Sequence, residues 1–146
     1  MIAHRPGLAL AFSGQIASTR IRKALAAHGL RPGHGHALLL LADQGPTGQA
    51  HLAEAVGVDP SVLVAILNDL ERDGLAERRR DPADRRRHIV EISAAGRRLA
   101  DDVHGAIAAV EGSLFADLDA AEVAALQRLL DRIRADGETS RACAGD

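Results

Sequence analysis

The sequence predicts a mainly α-helical chain carrying one small β-hairpin, and three observations support that reading. Apolar residues recur at helical spacing along most of the 146 residues. Phe12 and Phe115 are the only aromatic residues, with no Trp or Tyr, so the core is built from Leu, Val, Ile and Ala, a palette that favours packed helices. The pattern changes once, where Leu75 to Arg80 and the alternating His88 to Ile92 flank a turn-like Asp81-Pro82-Ala83-Asp84.

Taken in order, Leu8, Phe12, Ile16, Ile21 and Leu25 form the stripe of a first helix over 8–27, ended by His28-Gly29. After the Arg31-Pro32-Gly33 break a second helix runs from about His34 to Asp43, and its all-apolar Leu38 to Leu41 marks it as central. Thr47 is expected to cap a short helix reaching Val56, which Gly57 stops. Asp59-Pro60 restarts the chain with an acceptor at the cap and a proline at the first helical position, and that helix runs to about Asp73 before Gly74. The second hairpin arm is read as 85–92. Ser93 then caps a long helix to about Ser113, and Asp119 caps a last one to about Arg134, striped by Val123, Leu126, Leu129, Leu130 and Ile133.

Two short helices joined by a glycine-containing turn are a helix-turn-helix, and a hairpin directly after it is a wing. The fold class is therefore a winged helix-turn-helix, mainly α. On a helical wheel Leu63, Ile66, Leu67 and Leu70 share the side facing the core, while Ser61, Ala65, Asn68 and Arg72 lie opposite, flanked by Val64 and Asp69. In a major groove Ser61 and Asn68 can hydrogen-bond, whereas Val64 and Ala65 can meet only apolar features, chiefly thymine methyls. The wing packs Arg78, Arg79, Arg80, Arg85, Arg86 and Arg87 into ten residues against Asp81 and Asp84, a concentration of positive charge that a nearby polyanion relieves.

Three stretches carry a family resemblance: Asp59-Pro60-Ser61, Leu70-Glu71-Arg72-Asp73-Gly74-Leu75, and Asp81-Pro82-Ala83-Asp84-Arg85-Arg86-Arg87 followed by Ile92-Ser93-Ala94-Ala95-Gly96. With them the chain resembles the MarR family of bacterial regulators over nearly its whole length. The resemblance implies a homodimeric, ligand-responsive repressor on double-stranded DNA at a pseudo-palindromic operator. It divides the chain into an N-terminal dimerisation helix (1–33), a DNA-binding lobe (34–93) and C-terminal dimerisation helices (94–136); the polar composition of 137–146 separately marks a disordered tail. The resemblance puts Arg86 at the wing tip in the minor groove with Asp84 bracing it, Ser61, Val62, Ala65 and Asn68 at the major groove, and Arg79 and Arg80 near the backbone. Many members carry Ser, Thr or Arg where this chain has Val62, Val64 and Ala65, so readout here rests more on methyl contacts and groove shape. A small lipophilic or phenolic effector is implied in a cleft between the dimerisation helices and the lobe, assigned to Phe12, His34, His36 and Leu39. Its binding would change the spacing of two recognition helices that fit DNA only near one helical turn, about 34 Å.

Charge distribution agrees with a nucleic-acid partner. The net charge is −2, yet nine arginines against five acids between Arg72 and Arg98 make a local +4 and leave −6 elsewhere. The longest apolar run, Ala37 to Ala42, is far short of the roughly 20 residues of a membrane span, and no secretory leader pattern is read, so a cytoplasmic location is expected. No Gly-rich phosphate loop, nucleophile elbow or catalytic carboxylate pair suggests an enzyme, and no cofactor is expected. The fold admits two alternatives. Seven histidines, among them His28, His34, His36 and His104, raise a zinc- or other metal-responsive regulator, although no pair sits at i, i+4 and the lone Cys143 lies in the tail. The other is a winged helix used to bind protein, which six arginines on one hairpin speak against.

Overall fold

The computed structural model describes residues 4–133, so the 137–146 tail and Cys143 lie outside the described residues. Among the described residues six helices and three short strands follow in the order α1 (Pro6–Ala27), α2 (Pro32–Gln44), β1 (Thr47–Gly48), α3 (Gln49–Val56), α4 (Pro60–Arg72), β2 (Ala76–Arg80), β3 (His88–Ile92), α5 (Ala94–Leu114) and α6 (Ala120–Ile133). α1, α2 and α4 each open on a proline, whose missing N–H and preset φ suit the first helical turn. Pro32 therefore starts α2 and does not break the chain before it, and α1 likewise begins two residues earlier than its apolar stripe indicated.

Thr47 is a correction. Its hydroxyl donates to the Gly45 carbonyl (2.8 Å) and does not cap α3, whose N-cap is Gly48. Thr47 and Gly48 instead add a third strand, so the antiparallel sheet runs β1-β3-β2, with Thr47 opposite Val90 and Ala76 opposite Ile92. Asp59 occupies the N-cap of α4, but its side chain makes no capping bond. The second hairpin arm is shorter than expected, because Arg85 to Arg87 belong to the turn. The two later caps hold. Ser93 Oγ accepts from the Gly96 N–H (3.0 Å), and Asp119 and Glu122 form a reciprocal capping box at 2.8 and 3.0 Å.

The core lies where α2, α4, α5 and the sheet meet. Leu38 and Leu41 of α2, Leu52 of α3, Leu63, Leu67 and Leu70 of α4, Val90 of β3 and Val103 of α5 are fully buried. Leu63, Ile66, Leu67 and Leu70 recur at three- and four-residue spacing, so α4 buries one side and leaves the opposite arc in water. α1 packs against α5, away from the hairpin.

The base of the hairpin is locked to α5. Ser93 donates its hydroxyl to the Gly74 carbonyl (2.6 Å) and its N–H to the Leu75 carbonyl (2.9 Å). Gly96 lies so near that a Cβ there would overlap the Leu75 carbonyl oxygen and press on Ile92. Gly74, at φ +72, lets the chain reverse out of α4 into β2.

Candidate nucleic-acid interface

Strand periodicity decides which hairpin arginines are free. Ala76 is buried, so Arg78, two residues on, points to the same side, toward α4. There its Nε donates to Glu71 Oε1 and its Nη2 donates to Asn68 Oδ1 (2.6 Å), leaving the side chain 23% exposed. Arg79 faces the other way, 3.7 Å from Glu91.

The wing turn is organised by its two aspartates. Asp81 Oδ1 accepts from the Ala83 N–H (2.9 Å), and the Asp81 N–H donates to the Arg87 carbonyl (2.9 Å). Asp84 Oδ1 accepts from both the backbone N–H and Nε of Arg86 at 3.1 Å, and Oδ2 receives Nη2 at 3.3 Å. These bonds from Arg86, with Arg87 at 3.5 Å, hold the Asp84 carboxyl below its ordinary pKa. The Arg86 side chain is nonetheless 91% exposed, so its fork is oriented from behind and open in front. Arg80 donates to the Arg85 carbonyl (2.7 Å), and Arg85 and Arg87 point to solvent.

On α4, Ser61, Val62, Val64, Ala65 and Asn68 are all exposed. Arg72 is shared between Asp69 (3.2 Å) and Asp73 (3.6 Å). An open concavity of about 1180 Å³ separates the start of α3 and α4 from the wing, bordered by Gln49, Val62, Arg86, Arg87 and His88. Gln49 Oε1 is buried there without a partner among the described residues. The start of α4, at Val62, and the charged tip of the hairpin thus flank one recess, an arrangement matched to a groove and the phosphates beside it.

The MarR family model matches residues 30–88, the segment from the end of the α1–α2 turn to the first residue of β3. A protein assigned as transcriptional regulator of the hcr operon in Thauera aromatica is 34% identical over 129 residues, spanning 86% of this chain and 78% of its own. The chain belongs to the MarR family. The crystal structure of a MarR-family transcriptional regulator from Rhodococcus sp. RHA1 superposes with a TM-score of 0.78 at 30% identity, covering 91% of this chain and 94% of that one. CouR from Rhodococcus jostii RHA1, solved with p-coumaroyl-CoA, gives 0.80 at 27%, covering 94% and 96%. The winged helix-turn-helix and the role of transcriptional regulator follow from this membership.

Within this MarR-family fold the four residues assigned to an effector cleft have different settings. Phe12 of α1 is 52% exposed, and Leu39 packs on the core from the partly buried side of α2. His36 is exposed by area, yet it sits deep enough among neighbouring atoms that desolvation lowers its pKa. His34 is engaged elsewhere, with Nε2 2.8 Å from Asp69 Oδ2 on α4. Among the described residues no group of three or more His, Cys, Asp or Glu is placed to hold a metal ion.

Three side-chain contacts at the candidate site were not visible in the sequence: Glu71–Arg78, Asn68–Arg78 and His34–Asp69. Arg78 stood out only as one charge in a run. Its separation from the others depends on the β2 register, and the His34 contact spans 35 residues of sequence.

Proposed function

We propose that this chain is a ligand-responsive repressor that binds a pseudo-palindromic operator as a homodimer, with α4 in the major groove and the Arg86 tip in the adjacent minor groove. The observation that carries this reading is the wing tip. Asp84 fixes the guanidinium of Arg86 while leaving it exposed beside the open face of α4. An arginine held in this way loses little entropy on entering a narrow groove of strong negative potential. Ser61, Val62, Val64 and Ala65 then face the bases, Asn68 beside them is bonded to Arg78, and Arg72, Arg79, Arg80, Arg85 and Arg87 lie within reach of phosphates.

Dimerisation is assigned to 1–33 and 94–136. Leu8, Leu10, Phe12 and Ile16 of α1, with Leu129 and Ile133 of α6, stay exposed in the single chain, and a second copy would bury them. The effector is a small lipophilic molecule held near Phe12, His36 and Leu39. Relatives support ligand response and repression: CouR was solved with p-coumaroyl-CoA, whose acyl group is phenolic, and the 32%-identical NicR of Pseudomonas putida is a transcriptional repressor. Among the described residues no single helix is long and apolar enough to cross a membrane, and we assign the protein to the cytoplasm, where its operator lies.

The test is selection of duplexes from a random library, followed by a salt titration of the enriched sequence against a scrambled one. Affinity for the enriched duplex should fall steeply with salt and exceed that for the scramble throughout. Equal binding to both at every salt would overturn the repressor reading.

A further inference from the structure

We infer that the recognition helix reads its half-site through thymine methyl groups, with Val62, Val64 and Ala65 as the specificity-determining side chains. The inference rests on the DNA-binding reading of α4 and adds the base chemistry that α4 selects.

The structure engages the polar side chains of the exposed arc one after another, Ser61 excepted. Asn68 is the side chain on the exposed arc suited to bidentate adenine recognition, which needs its carbonyl oxygen and its amide together. That oxygen already accepts from Arg78 Nη2 at 2.6 Å, and Arg78 is held in place by its second bond to Glu71. Asn68 is therefore part of the joint between α4 and β2. Arg72, the one cation on the arc, sits in the last turn and is drawn back by Asp69 and Asp73. Asp69 is itself shared with His34. Ser61, in the first turn, is the remaining exposed hydroxyl.

What α4 presents instead is apolar. Val62 is 44% exposed and Val64 37%, on opposite flanks of the arc, with Ala65 between them. Neither valine packs on the core, although both are large enough to have been placed there. In the major groove the only apolar base feature is the C5 methyl of thymine, which separates T·A from C·G by shape and desolvation without a hydrogen bond. Val62 also borders the recess whose far wall carries Arg86 and Arg87, so the same approach that seats the wing brings this flank to the groove.

The probe is the duplex enriched by selection, remade with deoxyuridine in place of thymine at single half-site positions, which deletes one methyl each time. Binding is followed by fluorescence anisotropy. At methyls facing α4 each deletion should weaken binding about fourfold, the value of one buried methyl. Val64→Ala or Val62→Ala should abolish the effect of one such deletion while leaving thermal melting unchanged. Asn68→Ala should not alter the deoxyuridine pattern. If the enriched duplex outcompetes its scramble but binds equally well with every half-site thymine replaced, methyl readout is wrong while the regulator reading stands. If selection enriches no sequence, both fail together.

Discussion

Nε2 of His34, near the start of α2, lies 2.8 Å from Oδ2 of Asp69, toward the C-terminal end of α4, and ties the recognition helix to α2. The other Asp69 oxygen meets Arg72 at 3.2 Å. The histidine contact, with the nearby charges of Arg72 and Arg31, outweighs desolvation and holds the Asp69 carboxyl below its ordinary value of 3.8. A carboxylate depressed in the folded state stabilises fully above its unfolded pKa and loses that contribution as pH falls through the folded value. The urea midpoint should therefore drop as pH falls below about 4, and Asp69→Asn should flatten that drop. Identical pH profiles for parent and variant would show that the pair contributes nothing.

Arg86→Ala should weaken operator binding roughly fivefold to a hundredfold, the range for a single specific arginine contact. Its side chain is almost wholly in solvent, so the melting temperature and the dimer should be unchanged. Anisotropy titration with sedimentation on the same sample checks both, and undiminished affinity would sink the minor-groove role.

Arg78 acts differently from its neighbours in the run. Arg78→Ala frees Glu71 and Asn68 and detaches β2 from α4, and should lower stability by about 1 kcal/mol, as for a partly exposed ion pair with added hydrogen bonds. A double-mutant cycle with Glu71→Gln isolates the pair, and a coupling energy near zero would contradict the joint.

Gly96→Ala should cost about 1–3 kcal/mol, because the new methyl overlaps the Leu75 carbonyl and crowds Ile92 where the hairpin meets α5. Denaturant melts measure it, and a neutral variant would mean that the junction can open without loss.

Leu67→Asp should unfold the DNA-binding lobe, since Leu67 is fully buried and a carboxylate there has no partner to offset its desolvation. Retained helical circular dichroism with a cooperative melt would show the α4 stripe to be more tolerant than its burial indicates.

Much of the architecture was legible in the sequence. The buried side of α4 was readable because Leu63, Ile66, Leu67 and Leu70 repeat with the period of a helix, and the Ser93 and Asp119 caps because acceptor and amide are three residues apart. The strand at Thr47 was not readable. Two residues carry no period, and their partners, Val90 and Ile89, lie some forty residues away. Thr47 also looked like a cap, since a hydroxyl before an apolar run has that form whether it bonds forward to the helix or back to Gly45.

By itself the sequence determined the order of elements, the sided helix after Asp59-Pro60 and a hairpin too rich in arginine to be comfortable away from polyanion. These are local properties of spacing and charge, and neighbouring residues carry them wherever the chain goes. Only the tertiary structure decided which of those arginines are free. Register turns Arg78 inward to Glu71 and Asn68, and the turn lets Asp84 aim Arg86 outward. Tertiary packing likewise took His34 to Asp69 across 35 residues of sequence. The reason is that a side chain's partner is set by what the fold brings within 3 Å, and separation along the chain says little about that distance.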